Sequence, residues 1–483
     1  MRFPNGPAGS GTRLSTGRAV NTLAKGTEMR VRLWAGLTAC AAVAATVAVT
    51  WPAAAETTAA TTPSAVALAL ARAPLPANDG WAAAGAGTTG GSAAAETQVF
   101  VARSRSELIA ALGGNNATNG ANGTPKIVFV SGKFNANVDD ANQPLTCADY
   151  EDPAYSLDAF LAAYDPAVWG RVAPTGPLEE ARVRSTRNQR DRIFVNVGSN
   201  TTIIGINNAV LRGFNLNLQN VSNVIIRNVH FQDAADCFPA WSPTDGAEGN
   251  WNSLYDTVTL SGATNVWADH NTFSDGNNHD ADQPVYFGRP YQVHDGSLDV
   301  IRGSNYVTIS YNDFYDHDKT MLIGSSNTVG VDVDKLKVTI HHNRFGNNSQ
   351  RLPRVRFGQV DVYNNYYVVT DEETFQYAWG VGVYSANYAV NNFVLRSADV
   401  PPSAIVYDWR GTAPGAMTEL GSLVKVGSNK PTPVNFLAEY NLAHDPDIPA
   451  DAGWIPAYRA QPAHPTVAVP GLVKAAGSGK LPT

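Results

Sequence analysis

The amino-acid sequence predicts an all-β protein, a parallel β-helix carrying loop excursions and a few short helices. Three observations support that reading. The segments NVIIRNVHF (223–231), NVWADHNTF (265–273), YVTISYNDF (306–314), KVTIHHNRF (337–345) and QVDVYNNYY (359–367) share one plan, and NYAVNNFVL (387–395) extends it. Each has alternating apolar positions, then a polar corner, then an aromatic or apolar residue. The second through fifth place Asn271, Asn312, Asn343 and Asn365 at one register, which Asn392 continues, at intervals of 41, 31, 22 and 27 residues. The shortest interval suits one bare coil of three short strands and three turns; longer ones imply loops of variable length, set on one side of each coil. Stacked coils bury their interior against their neighbours. Corner Asn residues tolerate unusual backbone angles and stack their amides between coils. Composition agrees, with 42 Gly, 16% charged residues and no helical heptads. The alternative is a sandwich with coincidental Asn spacing, and the recurrence of one register in successive segments argues against it.

Taken in order, the chain opens with a leader. Arg30 and Arg32 precede an apolar stretch, Leu33 to Trp51, and Ala53-Ala54-Ala55 forms a small-residue cleavage pattern. Residues 1–55 are therefore read as a leader that includes a signal peptide, and a start at Met29 would give it an ordinary n-region. A single spanning anchor is the alternative. Leu37-Thr38-Ala39-Cys40 resembles a lipoprotein box, but the apolar run continues past it. Residues 56–79, rich in Ala and Thr, are read as a low-complexity linker, and residues 80–483 as one domain. Within it Ser104–Leu112 reads as a short capped helix with Leu108, Ile109 and Leu112 inward, and Lys126–Val130 as a strand. Ala154–Tyr164 and Pro177–Gln189 look like helical excursions before strands resume at Arg192–Val197 and Thr202–Ile206.

Removing residues 1–55 takes away Arg2, Arg13, Arg18, Lys25, Arg30, Arg32 and one acid, Glu28, so the formal charge moves from −7 to −12. A chain this acidic is a poor nucleic-acid binder, and an anionic ligand would need local cations or a metal to overcome repulsion. Two cysteines remain, Cys147 and Cys237. Pairing in an oxidising compartment and two free buried thiols are both open readings.

The chemistry-bearing residues cluster in four places. Asp256 stands where a strand begins in SLYDTVTL, Asp295 and Asp299 lie in HDGSLDVI, Lys319 lies in YDHDKTMLIGSS, and Arg351, Arg354 and Arg356 surround Pro353. Residues four apart on a strand sit about 13 Å apart, so Asp295 and Asp299 converge only if the segment bends, at Gly296. Carboxylates on successive coils sit about 5 Å apart. Three of them together call for a hard cation such as Ca²⁺, although acids at strand ends are more often simply solvated. Lys319 also fits a plain pairing with Asp316 or Asp318, and Arg354 and Arg356 fit one exposed face. Spacing alone gives Arg351 no special role.

The runs VWADH (266–270), HDGSLD (294–299), DHDKTMLIGSS (316–326) and RLPRVRFGQVDVYNNYY (351–367) resemble the pectate lyases of polysaccharide lyase family 1. The resemblance extends from about Gly80 to the C-terminus, and the family's R-x-P-x-x-R appears as Arg351, Pro353 and Arg356. Ala268 departs from it, standing where the family usually has a larger aliphatic. The resemblance implies a right-handed β-helix with Asp256, Asp295 and Asp299 as Ca²⁺ ligands. It implies Lys319 and Arg356 as contacts to substrate carboxylates and Arg351 as the catalytic base, with Asp269 and His270 structural. The implied substrate is polygalacturonate or pectin.

The expected protein is thus a secreted, extracellular, monomeric lyase. It would cleave α-1,4-linked polygalacturonate by Ca²⁺-dependent β-elimination to 4,5-unsaturated oligogalacturonates, with no nucleic-acid partner and no membrane association after processing. A pectin lyase should lack the acidic triad. A polygalacturonase would use paired carboxylates and leave Arg351 and Lys319 without a role. A non-catalytic binding helix would need none of the set. A guanidinium has a pKa above about 12, so a basic Arg351 must be neutral part of the time. Nearby cations and desolvation are expected to favour that form, with activity rising toward alkaline pH.

Overall fold

The computed structural model describes residues 62–459 and 463–483; the leader expected over 1–55 lies outside them. The chain winds as a right-handed parallel β-helix, each full coil giving one strand to each of three sheets. Sheet A holds Phe194–Asn196, Asn215–Gln219, Val258–Ser261, Leu298–Ile301, Leu322–Ile323, Arg354–Val355, Trp379–Gly382 and Val406–Trp409. Sheet B follows it around each coil, with Ser222–Arg227, Thr264–Asp269, Asn305–Ser310, Lys337–His341, Gln359–Tyr363, Ala386–Val390 and Ala416–Leu420. Sheet C completes the coil, with His230–Gln232, Thr272–Ser274, Asp313–Tyr315, Arg344–Gly346, Tyr366–Val369, Phe393–Arg396 and Leu423–Val426. The long strands Lys126–Asn135 and Thr201–Arg212 run through both B and C in the first coils.

Register is kept without slippage along the repeat: Val307, Val338 and Val360 align in sheet B, and Phe273, Phe314 and Phe345 in sheet C. Inward positions are Val, Ile, Leu and Phe and are buried, as a period-2 pattern on a parallel sheet requires. The turn from B to C is two residues long in coil after coil. Its first residue is left-handed (φ 52° at His270, 51° at Tyr311, 55° at His342, 53° at Asn364), and its second is the Asn of the predicted register. From Asn312 on, each Asn Oδ1 accepts the backbone N–H of the Asn one coil earlier, at 2.8 Å from Asn271 to Asn312 and 3.0 Å from Asn343 to Asn365, and Asn271 accepts in the same way from Val229. Each Nδ2 donates to a carbonyl of the preceding coil: Asn312 to Ala268, Asn343 to Ile309, Asn365 to Ile340. Two residues on, Phe231, Phe273, Phe314, Phe345 and Tyr367 stack face to face, with centroids 4.7–5.2 Å apart.

Two peripheral segments run lengthwise over these coils. Trp81 and Ala82 donate to Thr339 and Thr308, Gly90 to Asn223 and Gly91 to Thr202, so residues 81–91 cross sheet B from late coils to early ones. The C-terminal segment runs over the B-to-C corner: His464 contacts Asn364 and Asn391, Gly477 donates to Tyr311, and Gly479 to Asn228.

The linker expected over 56–79 is corrected in its described part. Ala65–Arg72 is a helix, capped by Ser64 accepting from Ala67 N–H. Its Ala67 and Ala71 pack on Ile127, Phe129, Ile204 and Ile206. The outer face of sheet B is apolar there, and an Ala-rich helix lies close enough to cover it. The helix expected near Ser104 spans Arg105–Leu112, with Ile109 only partly buried and Ala111 inward. The excursions contain helices Leu157–Ala163 and Pro177–Ile193.

Candidate active site

The turns from C to A differ from the B-to-C corners: they vary in length and carry most of the predicted site residues. Asp256 ends one such turn, just before Val258–Ser261. Asp295 ends the next, and Asp299 lies in the strand that follows it. Lys319 and Arg351 sit in the next two turns, and Arg356 directly follows Arg354–Val355. Pairing of Thr259 with Asp299, Val300 with Ile323 and Ile323 with Val355 sets these residues on adjacent strands, about 4.8 Å apart per step. One long loop, residues 324–336, falls instead between A and B; its Asn327 accepts a hydrogen bond from Arg356 Nε at 2.7 Å.

Asp256 and Asp299 converge at Gly296. The Gly296 N–H donates to Asp256 Oδ1 at 3.0 Å, and Thr259 Oγ1 donates to Oδ2 at 2.8 Å. Asp299 Oδ1 accepts from Leu322 N–H at 2.9 Å. A Cβ placed on Gly296 would stand 2.4 Å from Asp299 Oδ1 and 2.9 Å from Asp256 Oδ1, so glycine there is a condition for the carboxylates to approach. Burial, then Asp299 and Asp295, hold the Asp256 carboxyl well above the usual carboxylate range. Burial, then Asp295, lift Asp299 to about 7. Among the described residues neither has a cation at salt-bridge distance.

Asp295 points elsewhere. Its Oδ1 lies 3.9 Å from Lys319 Nζ and 4.0 Å from an Arg351 terminal nitrogen. The three aspartates are therefore looser than the expected triad: among the described residues, the set with one ligand atom each within 4.8 Å of the others is Asp275, Asp280 and His294. The donors around Gly296 still fit a hard cation, being all oxygen, buried and uncompensated.

Arg351 is left-handed (φ 61°), a costly conformation for a non-glycine residue and one that concentrates at functional sites. Its carbonyl accepts from Met321 N–H at 2.9 Å, and its Nε is buried without a partner. The expected depression of its pKa is corrected. Burial does push it down, but Asp295, then Tyr377, Asp299 and Asp318 push it up, and the net direction is upward. Arg356 goes the other way, lowered by burial and then by Arg351. Arg354 lies 3.9 Å over the Trp409 ring, a structural use of its charge.

Several residues that tune the site escaped the sequence reading. Asn252 accepts from Lys319 Nζ at 3.4 Å, and Gly324 leaves room for the Arg356 side chain, 2.8 Å from where a Cβ would stand. The two glycines beside the acidic and basic motifs were the available signal. One wall near the site is an aromatic cluster built from the excursions, including Tyr155, Phe160, Phe238, Trp241, Trp251 and Tyr291. A Cys147–Cys237 disulfide ties two of those excursions together and resolves the cysteine question.

With this geometry in hand, the comparisons with known proteins are direct. The family described as "Pectate lyase" matches residues 173–407. A pectate lyase of Bacillus subtilis (strain 168) is 44% identical over 412 residues, 84% of this chain and 93% of that protein. Pectate lyase E of Dickeya dadantii (strain 3937) is 36% identical over 66% of this chain and 68% of its own length. The solved thermostable pectate lyase PL 47 superposes with a TM-score of 0.83 at 48% identity, covering 85% of this chain and 99% of that one. A pectate lyase solved bound to hexasaccharide superposes at 0.79 with 43% identity and the same coverage. Fold, residue pattern and relatives agree, and the chain belongs to the pectate lyase family of polysaccharide lyases.

Proposed function

We propose that this chain is an exported, Ca²⁺-dependent pectate lyase that cleaves α-1,4-linked polygalacturonate by β-elimination, releasing 4,5-unsaturated oligogalacturonates. The observation that carries the reading is one edge of sheet A, where two uncompensated carboxylates face three cations from the next two coils. A polyanionic substrate is recognised by such an edge, and the relative solved with a hexasaccharide supports a saccharide chain as the ligand. Asp256 and Asp299, with Asp295, would hold Ca²⁺, which when bound supplies Lewis-acid stabilisation of a carboxylate-adjacent carbanion.

The chain's own residues do the rest. Lys319 and Arg356 bind uronate carboxylates, fix the sugar, and stabilise charge developing α to the carboxylate as the C5 proton leaves. Arg351 accepts that proton; expulsion of the C4 oxygen completes the elimination. For this Arg351 must be neutral. Asp295, Tyr377, Asp299 and Asp318 hold it charged against burial, so a cation neutralising Asp295 and Asp299 would remove two of those four influences and move its pKa downward. Activity is accordingly expected to rise toward alkaline pH. Export is supported by the disulfide and by the leader-like segment. Among the described residues no helix is long and apolar enough to cross a membrane. The protein is proposed to act as an extracellular monomer.

The test is incubation of the mature chain with polygalacturonate, with Ca²⁺ or chelator, following ultraviolet absorbance of the unsaturated product. Absorbance that rises with Ca²⁺ and stops with chelator is expected. Reducing ends without absorbance would mean hydrolysis, and cleavage indifferent to chelator would remove the metal from the reading.

A further inference from the structure

Behind Asp295 lies a second polar cluster that the proposed mechanism does not use. Asp275 follows the sheet C strand Thr272–Ser274, Asp280 opens a short turn in the excursion, and His294 leads straight into Asp295. All three are buried. His294 Nδ1 stands 3.3 Å from Asp280 Oδ1 and 3.6 Å from Asp275 Oδ2. Ligands of a tetrahedral metal with bonds of about 2.0–2.2 Å stand about 3.4 Å from one another, so both spacings are those of a coordination sphere.

The surroundings are those of a metal site as well. His294 Nε2 faces Asp233 Oδ1 at 3.2 Å, the carboxylate partner that orients a ligating imidazole and leaves its other nitrogen for the metal. Asp233 is fixed in turn by Asn278 and Arg212, each at 2.8 Å. Asp275 Oδ1 pairs with His317 Nδ1 at 2.6 Å. Two polar atoms are buried without a hydrogen-bond partner, Asp280 Oδ2 and His317 Nε2, in side chains more than nine-tenths buried. Asp275, Asp280 and His317 line a cavity of about 250 Å³ that Asp316, Asp318 and Asp371 also border. That ring of carboxylates would draw a divalent cation in.

We propose that Asp275, Asp280 and His294 bind one Zn²⁺-class cation, separate from the all-oxygen donors at Gly296. An imidazole nitrogen among carboxylates selects borderline metals over Ca²⁺. The metal fastens the 275–293 excursion to the coil that carries Asp295, and through His317 to the turn that carries Lys319. Its role is structural, on the flank of the proposed site.

The experiment is equilibrium dialysis of the full mature chain against ZnCl₂ in excess Ca²⁺, with bound metal counted by atomic emission. One Zn²⁺ per chain is expected. Asp280→Asn should weaken it at least about tenfold, with circular dichroism reporting its fold, while Asp256→Asn should leave it unchanged. On the unaltered protein, Co²⁺ loading should give the intense visible bands of a low-coordinate site. No stoichiometric Zn²⁺ in excess Ca²⁺, equal binding by Asp280→Asn, or a Co²⁺ spectrum without such bands would overturn the site.

Discussion

Two turns of the same coil handle polar groups in opposite ways. At the B-to-C corner the polar group is a neutral amide with every partner supplied by the adjoining coils, and length is held at two residues. At the C-to-A turn of the site-bearing coils the groups are charged and their partners incomplete, and over the whole helix the length of this turn varies from 2 residues, between Arg212 and Asn215, to 58, between Asn135 and Phe194. A satisfied buried amide stabilises and specifies. An unsatisfied buried charge costs stability and is retained where something else is to bind it. The contrast separates the half of the coil that sets pitch from the half that meets substrate.

The contrast can be broken most forcefully at Arg351. Arg351→Lys should lower kcat by about 10²–10⁴-fold, while denaturant unfolding should move by no more than about 0.5 kcal/mol. A lysine with near-normal turnover would remove Arg351 as the base. Asn343→Ala should do the reverse. It strips hydrogen bonds from Asn312, Ile309 and Asn365 and should cost about 2–4 kcal/mol with kcat intact below the melting temperature.

Asp256→Asn sharpens the comparison from the charged side. It should raise the Ca²⁺ concentration needed for half-maximal activity, yet raise the melting temperature in chelator, because it removes a carboxyl whose charged form burial and Asp299 disfavour in the fold. A lower melting temperature in chelator would mean that the carboxylate is structurally satisfied. The smallest effect is expected at Glu419, an acid in sheet B whose pKa burial lifts to about 7. A raised acid contributes stability present below its unfolded value near 4.5 that is lost as pH rises through about 7. Glu419→Gln should therefore raise the melting temperature at pH 9 and not at pH 4.

How far the sequence carried follows the same division. The Asn register was legible because its cause is local: a left-handed residue followed by an amide recurs wherever a coil turns. The residues of the charged edge were legible through their motifs, and the Gly296 bend through plain strand geometry. The state of that edge was not. Whether Arg351 is held charged depends on Asp295, 56 positions away in the chain, and on where that carboxylate points. Arg354 found its partner in Trp409, two coils on, and no spacing announces that. The helix Ala65–Arg72 was hidden because Ala-rich sequence reads as linker until an apolar sheet face stands opposite it.

A stack of coils in which each touches only its neighbours behaves as a one-dimensional array that frays from its ends. Two segments laid along the coils alter that here. Residues 81–91 and the C-terminal segment bond to coils far apart in the stack, so losing one coil costs contacts held by distant ones. The consequence is cooperativity: the coils should melt in one transition, and trimming residues 62–91 should split it into several.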